Sequence, residues 1–410
     1  MKVKGYTPKE WQTQVHSTLA EIEQARVENA LVLCKSKRQC GKSLMATQVI
    51  LDYSLNYGRQ RCILLSPTLK QARKIFKDII VGLRRADGVV ENANGSLLEI
   101  TFCNGSEVAF LSGEMRESLR GFTISEHGIL IIDEAAYIAD EIWGIVAPFC
   151  NVFRRPILAI STPRYCTGKF YEFWTSREPN VFRIDWTEYN TSDFLSQSAL
   201  DFFRKTLPRQ QFTMDYEGQF VSLSSNTFGD LSAVINDSPD LNGDYYIGVD
   251  WSASKGNDYN AVAVFNSQSQ MIECSTWNNT DETETIRKIL FIIEKWQPRR
   301  VVVERNSIGN VFFGLLEKQL QERRINTELS TFLTTNESKN DLVAKLQVAI
   351  QNKEITLLND EELIAELSAF SPKMTSGGRV TYEASVGHDD LVMATMFAFN
   401  AISEGTYFVS

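Results

Sequence analysis

The segment Ser36-Lys37-Arg38-Gln39-Cys40-Gly41-Lys42-Ser43 constrains the fold of this chain more than any other stretch. The apolar run Leu31-Val32-Leu33 leads into it, and a helical pattern follows at once. Strand, glycine-containing loop and helix in that order are the context of a phosphate-binding loop. Backbone N–H groups of such a loop and of the helix start cradle phosphate oxygens. Lys42 would reach the β- and γ-phosphates of ATP, and Ser43 would hold its Mg²⁺. Ser36 stands where the common pattern has its first glycine.

A second motif fits the first. Ile129-Leu130-Ile131-Ile132 is an apolar run ending in Asp133 and Glu134, about ninety residues downstream. Asp133 is a candidate for the Mg²⁺ shell, and Glu134 for polarising the attacking water. Upstream, Gln12 is a candidate reader of an adenine edge, with Trp11 or Tyr6 as a stacking ring. The alternative is a helix opened by Thr7 and Pro8 that carries a core tryptophan. Ser161 and Thr162 end the run Ile157–Ile160, where hydroxyls could sense a γ-phosphate.

Short β-rich runs (Ala30–Cys34, Cys62–Ser66, Ile129–Ile132, Ile157–Ile160) alternate with helical stretches (Leu44–Tyr57, Lys70–Leu83, Glu141–Ala147). This predicts an α/β domain over residues 1–221, with a parallel sheet and crossover helices. Residues 222–244, rich in Ser, Asn, Asp and Gly, read as a linker. A new pattern then runs from 245 to 410: strands Tyr245–Val249, Asn260–Phe265 and Met271–Trp277, helix Glu284–Trp296 and strand Arg300–Glu304. Three strands, a helix and a strand are the opening order of an RNase H-like fold.

That second region carries acids at element ends: Asp250 and Glu304 after β-runs, Asp258 before one, and Asp389 and Asp390 at the start of a last apolar helix. Each has a plain alternative as a turn or helix cap. As a set they can converge on one sheet edge and share two divalent cations, which clamp the attacking and leaving oxygens of a phosphodiester. Carboxylates suit Mg²⁺ or Mn²⁺.

Charge divides along the same boundary. Residues 1–220 hold 27 Lys and Arg against 25 Asp and Glu, whereas residues 221–410 hold 15 against 26. Contact with a polyanion must therefore use local basic patches, not the overall field. Seven cysteines without a CxxC pair read as free thiols in a reducing compartment, and three histidines argue against a His-based metal site. No apolar run is long enough to span a bilayer, and the first residues have no secretory signal core.

Taken together, Trp11-Gln12, the GKS loop, the IIDEAA run, Ser161-Thr162-Pro163, the segment Phe212–Phe220, Gly248-Val249-Asp250-Trp251-Ser252, Val301–Asn306 and His388–Ala394 resemble the large terminase subunit of tailed bacteriophages. The resemblance covers nearly the whole chain, and Ser36 is itself usual in that family. It implies an N-terminal P-loop packaging ATPase of the ASCE/RecA-like kind and a C-terminal nuclease with an RNase H-like fold. Arg38 or Arg120 would be an arginine finger, Ser161 and Thr162 the coupling motif, and Asp250, Glu304 and Asp389 the nuclease metal ligands, with Asp258 and Asp390 auxiliary. It implies double-stranded DNA, a procapsid portal protein and a small terminase subunit as partners. It further implies a homo-oligomeric ring when docked on the portal, with a monomer as one option for the free protein. Action would be in the cytoplasm of the infected host, with no place in the mature virion. Candidate DNA contacts are Arg84-Arg85, Arg154-Arg155, Arg299-Arg300 and Arg323-Arg324, and Lys373 and Arg379 on a hairpin with a Gly377-Gly378 turn. A helicase-like translocase is the first rival, but it needs a second RecA-like domain where this chain has carboxylates. A protein that merely senses nucleotide would not need Lys42, Asp133 and Glu134 together. A repair or recombination nuclease with an attached ATPase is the remaining rival.

Overall fold

The structure is a computed structural model in which residues 9–84, 86, 88–187, 195–223, 226–236, 238–251, 259–305, 309–375 and 379–405 are described. Tyr6, Thr7, Pro8, Arg85, Asp258, Asn306, Gly377 and Gly378 lie outside them. The chain divides into two compact units whose main bodies are residues 1–203 with 210–222, and residues 223–375 with 380–410.

The first unit is built on eight strands: β1 (Leu31–Lys35), β2 (Arg61–Ser66), β3 (Val90–Asn94), β4 (Glu99–Phe102), β5 (Glu107–Ser112), β6 (Leu130–Asp133), β7 (Ile157–Ser161) and β8 (Val181–Asp185). Their spatial order is β3-β4-β5-β2-β6-β7-β1-β8. From β5 to β8 every neighbour is parallel. Strands β1, β2 and β6 are buried almost throughout, as continuous apolar runs in a two-faced parallel sheet must be. One face packs on Met45, Val49, Ile75 and Phe76, and the other on Ile142, Trp143, Phe149 and Phe170. Helix Leu69–Leu83 shows how local sequence sets this up. Thr68 accepts a hydrogen bond from Gln71 N at 3.3 Å, and Ala72, Ile75, Phe76, Ile79 and Leu83 form its buried stripe. The antiparallel pair β3–β4 at the sheet edge is an addition to the expected elements; β3 is polar and mostly exposed, so it carries no alternating pattern to read.

The second unit holds β9 (Tyr245–Asp250), β10 (Asn260–Asn266), β11 (Met271–Trp277), β12 (Arg300–Glu304) and β13 (Glu328–Phe332), in the order β11-β10-β9-β12-β13. The first three are antiparallel, and β12 and β13 join in parallel after helix Glu282–Trp296. The order along the chain, three strands, a helix and a strand, is the one expected from the sequence. A separate hairpin pairs β14 (Phe370–Met374) with β15 (Val380–Ala384). Helix Asp390–Gly405 lies across β9, and Gly248 is the reason it can. A Cβ there would stand 2.1 Å from the Ala394 carbonyl oxygen and 2.4 Å from the Ala398 nitrogen.

The segment expected as a linker differs from that expectation. Phe228, Leu231 and Val234 are buried in the core of the second unit. Thr227 donates to the Phe370 carbonyl through its backbone N–H at 3.2 Å and its hydroxyl at 2.6 Å. Polar composition between three anchoring apolar residues hides a strap that is pinned to the domain it precedes.

Candidate functional sites

The nucleotide loop sits at the carboxyl end of β1. Gln39 and Gly41 adopt left-handed conformations (φ 61° and 80°) as the chain turns into helix Lys42–Asn56. Ser36, fully buried, donates its N–H to the Ser161 carbonyl at 3.0 Å, extending the β1–β7 pairing into the loop. Cys40 is buried within the loop. Lys42 is buried too, and its Nζ lies 3.3 Å from the Lys37 carbonyl oxygen and 3.5 Å from Glu134 Oε1. Ser43 Oγ donates to Asp133 Oδ2 at 3.4 Å. The two motifs, ninety residues apart in sequence, therefore meet as expected.

Glu134 occupies the left-handed region (φ 50°), unusual for a residue with a Cβ. Its Oε2 accepts from Ser161 Oγ and Thr162 Oγ1, each at 3.4 Å, so the strained residue is held by the hydroxyl pair that ends β7. Asp133 is nearly inaccessible, and its Oδ1 has no hydrogen-bond partner among the described residues. Burial, then repulsion from Glu134, pushes its carboxyl up to about 7 despite Lys42 nearby. A buried carboxylate oxygen without a donor, beside a serine hydroxyl, fits a hard divalent cation.

Trp11 is 5% exposed and packs on Trp186 with centroids 4.2 Å apart. A Cβ on Gly41 would lie 3.6 Å from its ring and 3.5 Å from Gln12 Nε2. Trp11 is thus a core side chain flooring the loop, and its ring offers no open stacking face; this corrects the stacking role. Gln12, also buried, accepts from Lys9 N at 3.0 Å. Arg38 and Arg120 are held differently. Arg38 Nη1 pairs with Asp215 Oδ2 at 2.9 Å, and its backbone N–H donates to the Asp215 carbonyl at 2.7 Å. Asp215 is buried in a π-helical turn, Thr213–Glu217. Arg120 is exposed, and no ion pair involves it among the described residues. Asp215 escapes the sequence reading, although it lies inside the Phe212–Phe220 motif.

In the second unit Asp250 ends β9 and Glu304 ends β12. The two strands are parallel with Val249 opposite Val303, so the acids leave the same sheet edge side by side. Asp389 and Asp390 arrive there at the start of the last helix. Burial, then repulsion from Glu304, Asp390 and Asp389, holds the Asp250 carboxyl well above its ordinary range. Among the described residues no three His, Cys, Asp or Glu side chains close into a ready cage. The oxygen-only donor set and the mutual repulsion of its acids at Asp250 fit Mg²⁺ or Mn²⁺, which would have to draw the carboxylates together.

Two supports here are invisible in sequence. Lys339, on helix Asn336–Asn352, pairs with Asp389 Oδ2 at 3.0 Å. Glu366, buried, accepts from Leu391 N at 2.8 Å and Val392 N at 3.2 Å, capping the helix that carries the acids. Burial pushes its carboxyl up to about 7. Most of the arginines suggested for DNA are engaged: Arg154 with Glu28, Arg155 with Glu23, Arg299 with Asp244, Arg300 with Glu328 and Arg323 with Glu294. Lys373 pairs with Glu383 across the β14–β15 hairpin. All seven cysteines are free, and among the described residues no helix is long and apolar enough to cross a membrane.

Comparison with known proteins covers both units. Residues 35–234 match the family model described as terminase large subunit, T4likevirus-type, N-terminal, and residues 247–401 match the terminase RNaseH-like domain. The large terminase subunits of Thermus phage G20c and Thermus virus P23-45 are each 24% identical to this chain, over 97% of it and 88% of the relative. The crystal structure of a large terminase from another thermophilic bacteriophage has the same fold, with a TM-score of 0.61 at 14% identity over 97% of this chain and 100% of that one. A further crystal form of that terminase, in complex with ATP-gamma-S, aligns with a TM-score of 0.58 at 14% identity, over 95% of this chain and 98% of that one. Phosphate loop, acid pair, RNase H-like sheet and both family matches agree: the chain belongs to the large terminase subunits of tailed bacteriophages, the ATPase–nucleases of viral DNA packaging.

Proposed function

We propose that the first unit hydrolyses ATP at the site built on Ser36–Ser43, Asp133 and Glu134, and that the second unit cuts double-stranded DNA at Asp250, Glu304, Asp389 and Asp390, joined by Asp258. The observation that carries this is the pair of buried, under-neutralised carboxylates, Asp133 Oδ1 without a donor and Asp250 among three other acids. Two independent cation-seeking sites on two different sheets are what a motor joined to a nuclease requires.

At the ATP site Lys42 and the backbone of the loop bind phosphates, Ser43 and Asp133 would hold Mg²⁺, and Gln12 would read the adenine edge. The Mg²⁺ would supply charge neutralisation between phosphates. Glu134 orients the attacking water. Its bonds to Ser161 and Thr162 tie that carboxylate to the end of β7, so a change at the γ-phosphate reaches the sheet through those hydroxyls. Arg38 serves as the arginine finger in this reading; Arg120, exposed and without an ion pair among the described residues, is the alternative. At the nuclease site two Mg²⁺ or Mn²⁺ ions would polarise the phosphodiester and its attacking water. The chain's own part is to hold the acids at one sheet edge, through Gly248, Lys339 and Glu366. The partners in this reading are the portal protein and the small subunit, with a ring of copies at the procapsid portal in the host cytoplasm.

The test uses the full chain with plasmid DNA and Mg²⁺. Glu134→Gln should abolish ATP turnover and leave plasmid cutting, and Asp250→Ala should do the reverse. Loss of both activities in either variant, with the fold intact, refutes the division of labour.

A further inference from the structure

The arginine pairs singled out in the sequence are mostly neutralised, but a different basic face is not. Helix Leu69–Leu83 buries Ala72, Ile75, Phe76 and Ile79 on one side and turns Lys70, Arg73, Lys74 and Lys77 to solvent on the other. Among the described residues none of these four makes an ion pair or side-chain hydrogen bond, and even Lys74 and Asp78, one turn apart, are not paired. They line one shallow surface cleft.

This arrangement works against the helix that carries it. At spacings of three and four residues the cations form four like-charged neighbour pairs (70–73, 70–74, 73–77, 74–77), each destabilising. Lys70 sits in the first turn, where the macrodipole is already positive and the helix has no acidic residue of its own, and Arg73 and Lys74 follow in the next turn. Nor do they cap the helix: Thr68 accepts from Gln71 N, and Glu114 accepts from Leu69 N at 3.0 Å. Asp78 on the same cleft and Glu114 at the helix start set only two acids near four cations, none of which is ion-paired among the described residues, so a polyanion from outside would complete the compensation. The helix also begins just beyond the carboxyl end of β2, the sheet edge at which the nucleotide loop and Asp133 stand. A polyanion on this face would be gripped close to the edge where ATP acts.

We propose that Lys70, Arg73, Lys74 and Lys77 form a sequence-independent contact for the phosphate backbone of duplex DNA. This rests on the reading of double-stranded DNA as the substrate. The helix rises roughly 10 Å from Lys70 to Lys77, the axial rise of about three nucleotides of one strand. The one amide beside them, Gln71, is turned back to accept from Thr68 N at 3.2 Å, so the cations grip phosphates and read no bases.

The experiment measures anisotropy of the full chain on two unrelated labelled duplexes from about 50 to 200 mM KCl, as the natural sequence, as Lys74→Gln, and as the quadruple Lys70→Gln/Arg73→Gln/Lys74→Gln/Lys77→Gln variant. The quadruple change should flatten the slope of log K against log salt by about 2–3, and Lys74→Gln by about 0.9, equally on both sequences. Affinity of the quadruple variant near 0.1 M salt should fall roughly a hundredfold. DNA-independent ATP turnover should stay at the natural level, and melting temperature should hold or rise, because repulsion has been removed. A folded, ATP-hydrolysing quadruple variant with unchanged slope and affinity overturns the proposal and points to an acidic protein as the partner of this face. A natural chain that binds duplex DNA without salt dependence overturns instead the broader reading on which the proposal stands.

Discussion

The pair Arg38–Asp215 decides whether Arg38 is a chemical or a structural residue, and a mutant cycle separates the two. The carboxylate is 7% exposed and the guanidinium 55% exposed, at 2.9 Å. Breaking a fully buried pair by removing one partner costs about 3–5 kcal/mol, but the solvent reaching Arg38 screens this one to about 1–2 kcal/mol. Arg38→Ala strands the Asp215 charge and should lower the melting temperature of the unit by roughly 3–6 °C. Asp215→Asn removes that charge while the backbone bond from Arg38 N persists, so it should cost less, and the double variant should melt close to Asp215→Asn alone. ATP turnover should behave differently. An arginine beside the γ-phosphate contributes about 10³–10⁵-fold, so Arg38→Ala and the double variant should both be inactive while Asp215→Asn keeps turnover. The assay is thermal melting of all four proteins beside steady-state phosphate release at saturating ATP. Recovery of turnover in the double variant would refute the finger and leave Arg38 a partner for Asp215. Melting shifts that add within about 0.5 kcal/mol would refute the ion pair.

Other perturbations test the nuclease unit. The raised Glu366 carboxyl means that the folded state holds its proton more tightly than the unfolded state, so this stability is full below about pH 4.5 and is lost as pH rises through about 7. Glu366→Gln, permanently neutral and still an acceptor for Leu391 N and Val392 N, should match the natural protein in melting at about pH 4.5 and exceed it at about pH 8; a lower melting temperature at the higher pH would contradict the burial argument. Lys339→Met removes the cation on Asp389 and should tighten Mn²⁺ binding about tenfold by calorimetry, equivalent to about 1.4 kcal/mol, and unchanged affinity would exclude competition between lysine and metal. Gly248→Ala places a methyl 2.1 Å from the Ala394 carbonyl oxygen, so the last helix must retreat by roughly an ångström. Plasmid cutting should fall about 10²-fold while ATP turnover persists, and retained cutting would show that the acids do not depend on that close approach.

The legible parts of this molecule are those in which one short stretch does several jobs. Ser36–Ser43 is strand end, loop and helix start at once, and Ile129–Glu134 is a buried strand with its functional acids attached, so periodicity and chemistry coincide. The same holds for the opening strands of the second unit, whose three-strand, one-helix order can be read directly. Glycine in Gly248-Val249-Asp250 is legible as part of a motif, but its reason is not: only the helix that crosses it from far downstream, at Ala394 and Phe397, makes a Cβ intolerable there.

What stays hidden is pairing across long separations. A charged residue declares its sign in sequence but not its partner, so Arg154, Arg155 and Arg323 read as free cations while Glu28, Glu23 and Glu294 are already placed to meet them. Conversely Lys70, Arg73, Lys74 and Lys77 sit inside an unremarkable amphipathic helix, and only the absence of ion-pair partners among the described residues sets them apart. The two cases have one physical origin. A surface ion pair contributes little to stability, so folding places weak demands on which cation meets which acid, and local sequence carries little information about the match. A cation left unmatched on a crowded helix is costly in a way that an ordinary surface lysine is not, because its neighbours and the helix dipole both repel it. Function at a charged surface is therefore better sought where the fold bears an uncompensated cost than where basic residues are merely adjacent in the chain.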